Sequence, residues 1–253
     1  MQSLFPIVYE DDELLVINKP ADLVCHPTKG DLTSSLIGRV RLHLGPSALP
    51  QLINRLDRET SGVVIIAKQA EAARELRRLW EQGAVLKRYL AVVHGHVQEE
   101  SGRIDAPLGP DKESPVAIKD RVRPDGAPAA TEFRLAKVFS RDGELFSVLE
   151  VRPISGRKHQ IRIHLAHYGH PIVGDKLYGR DEQCYLDFVV GRLSESQKRM
   201  LLLPNQALHA HSVTLNWRGD VRLFEAEPGE SLTVFVREGC EVWCGSGFVG
   251  AIG

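Results

Sequence analysis

Four cysteines in 253 residues, with no C-x-x-C pair among them, are too few and too scattered for a disulfide framework. They point to free thiols in a reducing compartment. Cys240 and Cys244 are close enough to suggest half of a metal site, but no second pair accompanies them. No apolar run approaches membrane-spanning length. The N-terminus reaches Glu10-Asp11-Asp12-Glu13 without a basic start or a long apolar stretch, so no signal peptide is read. Net charge is also lacking: 32 basic against 33 acidic residues give -1, no overall pull toward nucleic acid or membrane. Internal repeats, low-complexity segments and heptads are missing too. These absences leave a cytoplasmic protein, expected to be a monomer. Its 43% hydrophobic and 26% charged residues are ordinary for a globular chain with one large core or two small ones.

Asn54 to Gly62, NRLDRETSG, is the stretch on which the rest turns. It sets the carboxylate of Asp57 between the guanidinium groups of Arg55 and Arg58, an arrangement that favours the ionised form. Such a group suits a nucleophile or an electrostatic partner better than a general acid. Val63-Val64-Ile65-Ile66 follows the Ser61-Gly62 turn and reads as a buried strand, which holds the loop at the edge of a rigid sheet. The plainer reading is that Asp57 only caps a turn.

Around this stretch, strands are expected at Leu14–Ile17, Tyr89–Val93, Thr131–Val138, Leu145–Val151, Leu208–Leu215, Val221–Glu225 and Leu232–Phe235. Helices are expected at 34–43, 70–82, 159–168 and 194–203. In the second of these, Arg74, Arg77 and Arg78 lie off the apolar face, where a solvated surface is a plainer reading than phosphate contacts. Residues 101–130 read as a long polar excursion carrying Lys119, Arg121 and Arg123, and excursions of that size are often functional. From Gly239 onward the chain is Gly-rich and expected to be a loose tail, so one domain is expected over 1–238 and a tail over 239–253. Strands outnumber helices and the alternation of a doubly wound sheet is missing. The expected fold class is therefore mixed α/β (α+β), with a long, mainly antiparallel sheet, flanking helices and a central cleft.

Charge is concentrated in one place. Between Val151 and Gly174 there is no acidic residue, while Arg152, Arg157, Lys158, Arg162 and four histidines are present. A polyanion site is the natural interpretation. Ile161, Leu165 and Tyr168 form the buried face of the helix there, one position from Arg162, and a partly buried arginine calls for a carboxylate such as Asp57. His164, His167 and His170 drift around the helix axis without a carboxylate between them, so no metal site is expected.

Several segments taken together resemble the RluA-type pseudouridine synthases. They are NRLDRETSGVVIIAK (54–68), KRYLAVV (87–93) and GRKHQIRIHLAHYGHPIVGDKLYG (156–179), with ELLVINKP (13–20) and ALHAH (207–211) in the same order. The likeness spans roughly residues 8 to 236. It departs from many relatives in having Asn54 where they carry histidine, and the small N-terminal RNA-binding domain of many relatives is not expected here.

The resemblance implies the pseudouridine synthase fold and isomerisation of uridine to pseudouridine in ribosomal RNA, transfer RNA or both. It implies no cofactor, no metal, no DNA and no membrane. Asp57 would be the nucleophile, Arg162 its partner, and Tyr89 the ring that stacks on uracil and acts as a base toward the sugar. The uridine would be flipped out of its helix, with Arg55 filling the vacated place. Arg58, Arg157, Lys158, His159, Gln160, Lys119 and Arg121 would contact RNA. One rival is a non-catalytic RNA-binding or ribosome-assembly protein with the same fold, which does not need Asp57, Tyr89 and Arg162 together. Another is a metal-dependent hydrolase built on the histidines.

Overall fold

The computed structural model describes residues 4–27 and 32–242. In chain order the first elements are β1 (Ile7–Glu10), β2 (Leu14–Lys19), α1 (Leu36–Leu44), β3 (Gln51–Leu52), β4 (Ser61–Ala67), α2 (Ala70–Glu81) and β5 (Val85–His94). Then come β6 (Ser101–Asp105), β7 (Leu108–Pro110), β8 (Asp120–Val122), β9 (Ala130–Arg141), β10 (Glu144–Pro153) and α3 (Gln160–His167). The last are α4 (Gln183–Val189), α5 (Glu195–Leu201), β11 (Leu208–Trp217), β12 (Asp220–Glu225), α6 (Glu230–Arg237) and β13 (Cys240–Glu241). Contacts group the chain into two units, Met1–Tyr89 with Leu208–Gly229, and Leu90–Ala207 with Glu230–Gly253. Both are mixed α+β, with mostly antiparallel strands flanked by helices, the class of the pseudouridine synthase fold.

The first unit is organised on β4. Its run Val63–Ile66 is wholly inaccessible to solvent, and the reason is that both faces of the strand are covered. Val63, Ile65 and Ala67 join Leu14 and Val16 of β2 against Ala72, Ala73 and Leu76 of α2. Val64 and Ile66 join Leu15 and Ile17 against Leu36, Ile37 and Val40 of α1. Burial of each such Val or Ile contributes about 1.5–3 kcal/mol. Strand order is β1-β2-β4-β11, with β3 also on β4 and β12 on β11; β4 and β11 run parallel, and the other pairs named here antiparallel. Gly62 begins β4 with φ +116, and a Cβ there would lie 2.2 Å from the carbonyl oxygen of Ala210 on β11. Glycine is required at that crossing.

The second unit is built on the β9–β10 hairpin. Asp142 and Gly143 form its two-residue turn with φ of 51° and 81°, the left-handed pair that matches strand twist. β6 and β13 add to β9, and β7 pairs with β8 separately. The segment expected as an excursion is thus partly sheet. A second departure concerns Leu232–Phe235, which lies within α6 and is not a strand. Its β-branched residues favour extension locally. Leu232, Phe235 and Val236 nevertheless share a helix face, and Phe235 packs edge-on against Phe139 and Phe146. Of the expected tail, residues 239–242 are described and β13 pairs with β9; Cys244 lies outside the described residues.

Candidate active site

The loop carrying Asp57 joins β3 to β4 and is held mainly through its backbone. Asn54 closes its base: the side-chain amide donates to the Val63 carbonyl at 3.0 Å and accepts from the Ile65 N–H at 2.9 Å, as a paired strand residue would. The substitution of asparagine for the family histidine thus serves local loop hydrogen bonding. Leu56 is buried in the α1-side core. The Cys25 thiol donates to the Leu56 carbonyl at 3.3 Å and accepts from its N–H at 3.5 Å. On the other side of Asp57, Lys19 donates from Nζ to the carbonyl oxygens of Arg58 (3.1 Å), Pro20 and Leu23 (both 2.8 Å). Asp57 itself is half-buried between these two anchors.

Lys19 has no exposed surface. Burial pulls its ammonium down to about 8, against the opposing pull of Cys25, Asp57 and Asp22. Tyr89 of β5 packs against the same core cluster as Leu56. Burial, and then the negative charge of Asp57, hold its phenol well above the ordinary tyrosine range. A Tyr89 that feels Asp57 in this way is a neutral hydroxyl near the candidate nucleophile. Downstream, Ser61 donates its hydroxyl proton to Nδ1 of His209 at 2.9 Å, while Nε2–H of His209 donates to the Ala226 carbonyl at 2.7 Å. Arg55 and Arg58 are exposed, and Nε of Arg58 donates to Asp22 at 2.7 Å.

In the second unit, Arg162 is buried on α3 and its Nε and Nη2 form a fork with the two carboxylate oxygens of Asp175, at 2.7 and 2.8 Å. The carboxylate that a buried arginine calls for is present here as Asp175, which the sequence reading did not single out. Gln160, expected to contact RNA, is 4% exposed. Its amide is occupied by Ala130, Thr131, Ser155 and the Arg157 N–H, so it braces the loop instead. His159 starts α3 in the left-handed region, φ +54, and bonds the Tyr178 hydroxyl at 2.9 Å. Arg157 and Lys158 are exposed, and Lys158 lies 3.1 Å from Asp120. Lys119 pairs with Glu182 and Arg121 with Glu113. His164 is a core histidine between Thr131 and the Ala106 carbonyl. Among the described residues no cluster of three or more His, Cys, Asp or Glu could hold a metal ion, and no helix is long and apolar enough to cross a membrane.

Residues 13–167, which include Asp57, Tyr89 and Arg162, match the family profile described as RNA pseudouridylate synthase. The chain belongs to the RluA-type pseudouridine synthase family. Among other members, the ribosomal large subunit pseudouridine synthase D of Nitrosomonas europaea is 35% identical over 87% of this chain and 61% of its own length. An uncharacterized RNA pseudouridine synthase of Bacillus subtilis is 34% identical over 82% of this chain and 62% of its own. The chain thus spans about three fifths of the length of these relatives. Among solved structures, human RNA pseudouridylate synthase domain containing 1 has the same fold, with a TM-score of 0.74 at 24% identity over 98% of this chain and 91% of that one.

Lys19 and Asp175, within the family motifs, and Cys25, which holds Leu56 of the Asp57 loop, are side chains that sequence reasoning passed over. Lys19 had a visible signal, a lysine closing an apolar strand ahead of Pro20. Cys25 and Asp175 had none, because their partners are fixed only by folding.

Proposed function

We propose that this pseudouridine synthase isomerises uridine to pseudouridine in a structured ribosomal or transfer RNA, with Asp57 as the nucleophile. The observation that carries the reading is the Asp57 loop itself. A half-buried carboxylate sits on a backbone gripped on both sides, and a neutral Tyr89 phenol lies within reach of its charge. Rigid backbone support of this kind pre-organises a reacting group.

Attack by the carboxylate on the sugar's anomeric carbon breaks the glycosidic bond, whose electron pair leaves with the uracil nitrogen; attack on the uracil ring instead pushes a ring π pair toward its carbonyl oxygen. Either way Asp57 becomes an uncharged ester-like group and the negative charge passes to the base. That change matters for Tyr89. Burial and then the Asp57 charge keep the phenol protonated, so Tyr89 acts first as a stacking surface and hydrogen-bond donor; it can serve as a base toward the sugar only as a phenolate, after passing its own proton to the displaced, negatively charged uracil. Arg162 is assigned by its motif to pair with the nucleophile. Exposed Arg55 and Arg157 are assigned to the RNA, with Arg55 occupying the place of the flipped base at a cost of a few kcal/mol for extrusion.

Tritium release from ribosomal and transfer RNA labelled at the uracil 5-position tests this. Asp57→Asn is expected to lower release by about 10³-fold or more while RNA affinity stays within about twofold. Normal release in that variant would remove Asp57 from the chemistry. Tight RNA binding by the wild-type protein, with no release from either RNA, would favour the non-catalytic reading.

A further inference from the structure

The surroundings of Arg162 carry more than a charge pair. Asp175 is 1% exposed, and besides the Arg162 fork its Oδ1 accepts the N–H groups of Leu177 (2.9 Å) and Tyr178 (3.0 Å). The Tyr178 ring lies against the guanidinium, 5.0 Å from its centroid to Cζ. The hydroxyl of Tyr178 accepts the Asp120 N–H at 3.1 Å and bonds His159 at 2.9 Å, so the ring cannot turn away. The turn that delivers Asp175 is tight at both ends. Gly174 has φ +76, and a Cβ on Gly179 would sit 2.1 Å from the Asp175 carbonyl oxygen. Burial by itself would raise the Asp175 carboxyl, but the Arg162 charge and the hydrogen bonds outweigh it, leaving the group below its usual range.

We propose that Asp175 is a positioning residue for the isomerisation: it fixes the plane of the Arg162 guanidinium and commits the Nε–Nη2 edge, so that Arg162 serves the reaction from Nη1 in one orientation. The inference rests on the catalytic reading of Arg162 given above. Its physical basis is the planar fork, which matches a carboxylate at two points and so transmits orientation as well as charge. A lone ammonium or a singly bonded guanidinium would swing.

The test measures single-turnover rate, RNA affinity and Tm for Asp175→Asn, Asp175→Glu, Arg162→Lys and the double variant Arg162→Lys/Asp175→Asn, with rates taken well below each Tm. Asp175→Asn retains an acceptor for the two N–H groups but loses the charged fork. It is expected to slow turnover about 10–100-fold, the usual scale for a group that orients a working ligand, with RNA affinity within about twofold. In the Arg162→Lys background the same change is expected to cost less than about threefold, because residues acting through one another are not additive. Should Asp175→Asn fail to fold, Asp175→Glu keeps the charge, displaces the fork by one methylene, and is expected to show the same split between rate and affinity. A lowered Tm with an unchanged rate in the folded variants would make Asp175 structural only and overturn the inference. Fully multiplicative losses would also overturn it, since Asp175 would then act without Arg162. Wild-type turnover in Arg162→Lys would instead strike at the catalytic reading of Arg162 and take this inference with it.

Discussion

Lys19 and Arg162 are both buried cations in family motifs, and their surroundings stabilise them by opposite means. Lys19 is met by three backbone carbonyls, with no carboxylate at ion-pair distance among the described residues. Arg162 is met by a carboxylate fork and an aromatic face. Carbonyl dipoles offset only part of the cost of removing a charge from water, whereas an apposed anion compensates it directly. The consequence differs for each. The Lys19 charge can be removed at an accessible pH, since burial holds it near 8, while a guanidinium stays charged throughout. Lys19 therefore ties backbone segments together and remains sensitive to pH; Arg162 is a fixed fork.

Replacing Lys19 by methionine gives the largest expected effect on stability. Three charge-assisted hydrogen bonds disappear and the carbonyls of Pro20, Leu23 and Arg58 lose a buried donor, offset by the desolvation no longer incurred. A net loss of about 2–4 kcal/mol at neutral pH is expected from urea unfolding. The gap should also depend on pH in a defined direction. Between about 8, where folded Lys19 loses its proton, and 10.5, the ordinary lysine value, the unfolded chain binds more protons than the folded one. Wild-type stability then rises with pH by up to about 1.4 kcal/mol per unit relative to Lys19→Met. A gap that stays flat across that window would mean Lys19 is not held charged against burial, and the contrast with Arg162 would collapse.

The same contrast explains what could be read in the chain. The β4 run, α2 with Gly83 beyond its last turn, and the β9–β10 hairpin follow from periodicity and turn chemistry, because their determinants are local. Asp57, Tyr89 and Arg162 were legible as motif residues. Their supports were not. Lys19 reaches Arg58 across 39 positions and Cys25 reaches Leu56 across 31, and no spacing rule connects such pairs. Asp175 sits in GDKLYG, which reads as a turn and nothing more. The error over Leu232–Phe235 has the opposite origin, since local β-branching suggested a strand and packing against Phe139 and Phe146 decided for a helix.

His209 supplies a neutral counterpart to the two cations. It has no exposed surface, and burial holds it at about 4, below the ordinary 6.5, while Ser61 and Ala226 satisfy both ring nitrogens. The folded state therefore refuses a proton that the unfolded chain accepts between 6.5 and 4. Stability is fully present above 6.5 and declines as pH falls through that window, by up to about 1.4 kcal/mol per unit from this residue. His209→Gln should lose that component of the acid slope, even if it is less stable at neutral pH. An unchanged slope, followed by urea unfolding across the window, would place the acid sensitivity elsewhere.

The smallest effect concerns exposed cations, and it turns the comparison toward RNA. Lys119 and Arg121, expected from the sequence to grip phosphates, are already matched by Glu182 and Glu113, the latter through two bonds of 2.8 and 2.9 Å. Arg74, Arg77 and Arg78 on α2 are exposed and have no carboxylate at ion-pair distance among the described residues. A cation that must first leave its own carboxylate gains little from a phosphate, whereas an uncompensated one releases counterions at once. In RNA binding measured against salt, changing the three α2 arginines to glutamine is expected to reduce the slope of log K against log salt by about 2, at roughly 0.7–0.9 per phosphate contact. Lys119→Gln with Arg121→Gln is expected to change it by less than about 0.5. If the two sets of variants shift the slope equally, pairing within the protein does not decide which cations meet RNA. If only the second set does, the RNA path follows the 101–130 segment and α2 is a solvated face.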